Sequence, residues 1–115
     1  MCLLILHLFI ADTSAPINLK PQKIGSEFVH LHWLEPHTRH QNTTILHYEI
    51  TIHSVENKTA EFPVQYIRET SYNMTSLHPN YHYMITVVAI TLNTIGPNAS
   101  INIQTEEDSK QSEFN

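Results

Sequence analysis

The sequence is poor in cysteine, glycine and basic residues, and each shortage excludes a class of protein. It has one cysteine, Cys2, so a disulfide framework within the chain is excluded. Only two glycines occur in 115 residues, and none lies in a glycine-rich loop of the kind that binds phosphate. The formal net charge is −5, whereas nucleic-acid binding requires a basic surface. We therefore expect a globular protein that binds no nucleic acid.

The chain begins with "MCLLILHLFI", an apolar run over residues 2–10. This run is shorter than the roughly 20 residues of a transmembrane helix, but it has the length of the hydrophobic region of a secretory signal peptide. No Lys or Arg precedes it, and His7 interrupts it. We interpret residues 1–14 as a signal peptide, with a truncated leader as the alternative. One domain is predicted over 15–106, and 107–115 is expected to be a flexible acidic tail or a linker.

Apolar and polar residues alternate through most of the remaining sequence. In "EFVHLHW", for example, Val29, Leu31 and Trp33 share one face and the intervening histidines take the other. A period of two in runs rich in β-branched and aromatic residues predicts half-buried strands. Seven strands are expected, at about 17–24, 27–34, 45–54, 62–67, 70–76, 81–92 and 99–105. Short strands at this spacing predict an all-β, seven-stranded antiparallel sandwich.

Two further details refine the expected sandwich. Pro21 lies in the first predicted strand, and proline in a sheet is mostly confined to edge strands because it has no N–H donor. The segment "NTIGPNA" contains a Gly-Pro pair and is expected to separate the last two strands.

The stretch "LHPNYHY" holds two histidines four residues apart, His78 and His82. On a helix this spacing would allow both imidazoles to bind one metal ion. Pro79 lies between them and disfavours a helix, and no glutamate follows His78 as the H-E-x-x-H motif requires. The pair His30 and His32 would share a strand face, but no third ligand is evident. We therefore predict no metal site and no cofactor.

The same stretch resembles the fibronectin type III family, in which a Leu-x-Pro-x-x-x-Tyr motif turns the chain into a strand. Leu77, Pro79 and Tyr83 match this motif. The resemblance implies that the tyrosine hydroxyl bonds to upstream backbone, an arrangement called the tyrosine corner.

Other segments match the family pattern in the family's order. They are "SAPINL", Trp33 followed by Pro36, "ILHYEITI" with Tyr48, "TSYNMTSLHP", "IGPNAS" and "QTEED". One departure is Tyr81, where the family frequently has threonine. The resemblance covers about Ala15 to Asp108 and implies an immunoglobulin-like fold whose structural core includes Trp33, Tyr48, Leu77, Pro79 and Tyr83.

The resemblance implies an extracellular, non-catalytic protein-binding or spacer module of an adhesion protein or receptor. No G-x-S-x-G motif occurs, and the predicted domain has no cysteine, so no enzyme and no small-molecule substrate are predicted. Two contexts remain open. The chain is one repeat of a larger protein, such as a receptor-type tyrosine phosphatase ectodomain with neighbouring repeats, or it is a small secreted glycoprotein. The protein partner is not identified by the sequence.

Four N-x-S/T sequons occur, and their acceptor residues are Asn42, Asn57, Asn73 and Asn98. None has proline at the middle position, so all four are eligible for N-glycosylation. The predicted strands place Asn73 on the outer face of one sheet and the other three in loops or at strand ends. The strand topology that the resemblance implies assigns Asn73 to one sheet and the sixth strand to the other, so we expect the outer face of this opposite sheet to be free of sequons.

That opposite outer face is predicted to carry an apolar group. Met84, Val88 and Ile90 alternate with inward residues on the sixth predicted strand. Exposed apolar patches often mark interaction sites, so these three residues form the predicted partner face. The alternative is that neighbouring side chains cover them.

Overall fold

The computed structural model describes residues 12–108. Most of the predicted leader and tail therefore lies outside the described residues. Seven strands form: β1 (Ile17–Ile24), β2 (Val29–Leu34), β3 (Ile45–Ser54), β4 (Gln65–Ile67), β5 (Ser71–Met74), β6 (His82–Thr91) and β7 (Ile95–Gln104). No helix occurs within residues 12–108.

The strands form two antiparallel sheets. One has three strands in the order β1-β2-β5, and the other has four in the order β4-β3-β6-β7. Strand β1 is an edge strand and carries Pro21 opposite Leu31, which agrees with the restriction of proline to sheet edges. The predicted all-β sandwich of seven antiparallel strands is confirmed.

The core lies between the sheets and follows from the alternating pattern. On β2, Val29, Leu31 and Trp33 are at most 1% exposed, and the intervening histidines are half-buried. The Trp33 and Tyr48 rings, from opposite sheets, meet edge to face with centroids 5.3 Å apart. Aromatic pairs favour this geometry because the positive ring edge meets the negative ring face.

The expected break at "NTIGPNA" is shorter than predicted: Asn93 and Thr94 do separate β6 from β7, but β7 already begins at Ile95 and includes Gly96 and Pro97. The pairing of β6 with β7 shifts in register between Val88 and Ile90. An extra residue at such a bulge accommodates a proline without a ladder donor on an edge strand. Gly96 is buried, and a side chain there would collide with the Thr13 hydroxyl.

The chain enters the sandwich at one end and leaves it at the other. At the entry, the Asp12 N–H donates to the Thr94 hydroxyl at 3.1 Å, and Thr13 pairs with Thr38. At the exit, the Glu106 N–H donates to the Gly25 carbonyl at 2.9 Å. The ten-residue strand β6 joins these ends, so they lie about 33 Å apart.

Candidate interaction surface

The outer face of the four-stranded sheet is built from cross-strand rows of side chains. One row joins Tyr66 on β4, Glu49 on β3, Val88 on β6 and Asn98 on β7. Directly opposed residues share a face of the sheet, and the bond of 3.0 Å between the Thr86 and Ser100 hydroxyls confirms this register between β6 and β7.

An apolar stripe crosses this face diagonally from β4 to β7. Tyr66 is 65% exposed, and its ring meets the His47 ring edge to face with centroids 5.6 Å apart. His47 lies opposite Ile90, and Ile90 lies opposite Ile95, which is 69% exposed. We call these four residues the Tyr66–Ile95 stripe. Glu49 borders it, with a carboxylate oxygen 3.7 Å from His47 Nε2.

The three residues of the predicted partner face all lie on β6. Met84 is 40% exposed, whereas Val88 and Ile90 are half-buried. The structure therefore brings only Ile90 into the stripe. Tyr66 and Ile95 were not among the predicted residues, since the predicted face was confined to the sixth strand and Ile95 was assigned to a break, whereas it begins β7.

The expectation that this outer face carries no sequon is wrong. Asn98 lies within β7, directly opposite Val88, and is exposed. The reason is the early start of β7, which moves Asn98 from the predicted turn onto the sheet. A sugar at Asn98 would cover the neighbourhood of Val88. Tyr66 is three strands away in the same row, at about 14 Å.

The other three sequon asparagines are also exposed. Asn42 lies in the β2–β3 loop at the entry end, where it lines an open hollow of about 500 Å³. Asn57 lies in the β3–β4 loop at the exit end. Asn73 lies on β5 opposite His30, on the outer face of the three-stranded sheet. All four positions have room for a bulky, solvated group.

His78 and His82 have different partners. The His78 ring packs against the Tyr81 ring at 4.9 Å between centroids. His82 Nδ1 lies 2.7 Å from a Glu56 carboxylate oxygen, and the same carboxylate accepts the His82 backbone N–H. The hydrogen bond from the His82 side chain is the main reason that the pKa of Glu56 lies below its ordinary value.

The residues predicted as structural core occupy the interior, apart from one. Trp33, Tyr48, Leu77 and Tyr83 are each at most 3% exposed, and Pro79 is half-buried. Burial raises the pKa of the Tyr48 and Tyr83 hydroxyls above their ordinary value, because an apolar interior disfavours the ionised form.

The described part of the chain, residues 12–108, has no cluster of three or more histidine, cysteine or acidic side chains that could hold a metal ion. It also has no helix long and apolar enough to cross a membrane.

Comparisons with known proteins define the class. The family model for the fibronectin type III domain matches residues 14–106, and the chain belongs to this family. A comparison with curated proteins found no match. Fibronectin type III domains are commonly non-catalytic modules of adhesion or receptor proteins.

Several solved structures share the fold at low sequence identity. A redesigned β-sandwich protein is 23% identical, with a TM-score of 0.68 over 82% of this chain and 96% of that one. Domains A168–A170 of titin are 21% identical, with a TM-score of 0.68 over 82% of this chain and 32% of that one. The FN1–FN3 domains of chicken CNTN1 are 22% identical, with a TM-score of 0.66 over 83% and 31%.

Proposed function

We propose that this protein is an extracellular, non-catalytic module that spaces its neighbours and contacts a partner in an adhesion protein or receptor. The observation that carries the proposal is the placement of entry and exit at opposite ends of the sandwich. Asp12 is held at one end by Thr94, and Glu106 at the other by Gly25. Tandem repeats joined through such ends extend in line, so each adds the length of one sandwich.

Both ends are anchored by more than one hydrogen bond. At the entry, the backbone carbonyl of Asp12 accepts the Arg39 N–H at 2.8 Å. The side-chain carboxylate of Asp12 accepts the Thr91 hydroxyl at 3.2 Å. At the exit, the Glu106 carbonyl accepts the Asn80 N–H at 2.9 Å. A spacer requires such anchoring because a frayed end would not transmit a fixed direction to the next module.

The contact role is supported by the Tyr66–Ile95 stripe. Exposed aromatic side chains are enriched at the energetic centres of protein interfaces, and Tyr66 is the more accessible of the stripe's two aromatic rings. The proposed partner is a protein surface with an apolar centre and a basic group opposite Glu49. The candidate sugar at Asn98 favours the Tyr66 side of the sheet over the predicted centre at Val88.

The extracellular location is supported by the four exposed sequons and by the signal-peptide pattern in the first residues. An antibody raised against the purified chain should bind to the surface of intact source cells or detect the protein in their culture medium. Labelling that appears only after permeabilisation would contradict the location. The same antibody distinguishes the two contexts by the mass of the native protein. A repeat of a larger protein would be detected at a much higher mass than a small secreted protein.

A further inference from the structure

The sequon at Asn57 adopts a hydrogen-bonded turn that the other three sequons lack. Asn57 Oδ1 accepts the Thr59 hydroxyl at 2.8 Å and the Thr59 backbone N–H at 3.2 Å. The acceptor and hydroxyl residues of the sequon are therefore already in contact. Both donors are bound to the oxygen, so these two hydrogen bonds do not involve the side-chain nitrogen Nδ2, which is the atom that receives the sugar.

The backbone around Asn57 is held in place from both sides. The Asn57 N–H donates to the Ser54 hydroxyl at 3.0 Å, and the Asn57 carbonyl accepts the Ala60 N–H at 3.1 Å. Ser54 is only 5% exposed and belongs to the end of β3. The turn is thus attached to the sheet, while Asn57, Lys58 and Thr59 are all exposed.

Two other sequons lie in paired strands and not in an exposed turn. Asn73 and Asn98 lie in strands, opposite His30 and Val88 respectively. The hydroxyl of the Asn98 sequon, on Ser100, is bonded across the sheet to Thr86. An enzyme that binds the acceptor chain in its own active site would first have to open these strand pairings.

We propose that Asn57 is a glycosylation site that remains available in the folded domain, whereas Asn73 and Asn98 accept sugar only before their strands pair. The donor is an oligosaccharide on a lipid pyrophosphate. In the transfer, Asn57 Nδ2 bonds to C1 of the sugar while the bond between C1 and the pyrophosphate oxygen breaks. The lipid pyrophosphate leaves with the electron pair, and the amide proton passes to a base of the transferring enzyme.

This inference deepens the proposed function, because an extracellular protein meets such an enzyme during secretion. The test does not depend on location. The complete 115-residue chain, produced without sugars and folded, is incubated with a purified oligosaccharyl transferase and its lipid-linked donor. Mass spectrometry of peptides then follows occupancy at each sequon over time. A cytoplasmic native protein would refute the proposed function and leave this measurement unaffected.

Synthetic peptides spanning each sequon provide the reference, since they have no strands to open. After division by the peptide rates, Asn57 should react at least about tenfold faster than Asn73 and Asn98, because local opening of paired strands costs more than opening of a loop. Equal normalised rates at the three sites, or no transfer to Asn57, would overturn the proposal.

Two variants distinguish the effect of the hydrogen-bonded turn on the transfer rate from the effect of the sequon itself. Ser54→Ala removes the acceptor of the Asn57 N–H and keeps the sequon intact, so the rate at Asn57 should fall relative to the loop site Asn42 in the same molecule. An unchanged ratio would overturn the role of the turn. Lys58→Pro makes the sequon ineligible and should abolish transfer at Asn57 alone, which verifies the assignment of the modified peptide.

Discussion

The Tyr83 hydroxyl accepts the backbone N–H of His78 at 2.8 Å. This bond is the tyrosine corner expected from the resemblance. It joins the start of β6 to the segment just before it. The Tyr83 ring is fully buried and packs against Phe62 and Tyr81, so the hydroxyl is the only polar part of a side chain that otherwise belongs to the core.

Tyr83→Phe should lower the free energy of unfolding by about 1 to 3 kcal/mol, because it keeps the ring and leaves the His78 N–H without its acceptor. Chemical denaturation monitored by tryptophan fluorescence measures the change. The matched control is Tyr66→Phe at an exposed ring, which should change stability by less than about 0.5 kcal/mol. Equal effects of the two substitutions would contradict the structural role of the corner.

The contact between Glu56 and His82 predicts a pH-dependent stability. The folded-state pKa of Glu56 lies below its ordinary value of 4.5, so its contribution is present above that value and is lost as the pH falls through the lower, folded-state pKa. The melting-temperature difference between wild type and Glu56→Gln should therefore be present above pH 4.5 and shrink as the pH falls below that value. Glu61→Gln, at another exposed carboxylate, is the control. A difference that stays constant with pH would refute the contact.

Ser76 has a positive backbone φ of 63° at the corner between β5 and β6. This conformation is unfavourable for residues with a Cβ atom but not for glycine. Ser76→Gly should raise the free energy of unfolding by about 0.5 to 1 kcal/mol. Ser71→Gly should lower it by a similar amount, because Ser71 begins β5 and pairs with His32, and glycine loses more backbone freedom than serine when it is held in a strand. Destabilisation by both substitutions, measured by thermal denaturation, would rule out strain at Ser76.

Tyr66→Ser should weaken binding of the multimerised chain to partner-bearing cells by at least about tenfold, if Tyr66 is an energetic centre of the interface. Val55→Ser is the control, because Val55 is also exposed, at 53%, but lies near the exit end away from the stripe. Flow cytometry measures both. Equal binding by the two variants would exclude the Tyr66–Ile95 stripe as the contact surface.

The fold was predictable because its information is local. Alternation on β2 identifies Val29, Leu31 and Trp33 as inward residues, since side chains of a strand point to opposite faces in turn. The Leu-x-Pro-x-x-x-Tyr motif likewise identified the corner. The break at Gly96 and Pro97 was predicted wrongly because the residues that usually end strands also occur at bulges, and only pairing with β6 distinguishes the two cases.

The candidate surface was less predictable because it depends on register. Sequence reasoning found that Met84, Val88 and Ile90 share a face, but it could not show which residues of β4 and β7 lie beside them. A shift of one residue in β7 would turn Asn98 inward.

The sequence by itself determined that the chain forms two layers of strands with Trp33 and Tyr83 inside, because the period of two and the corner motif are properties of consecutive residues. Tertiary structure decided that Asn98 lies beside Val88, that Tyr66 and Ile95 extend one apolar stripe, and that Asp12 and Glu106 are held at opposite ends. These relationships join residues far apart in the chain, and only the pairing of strands brings such residues together.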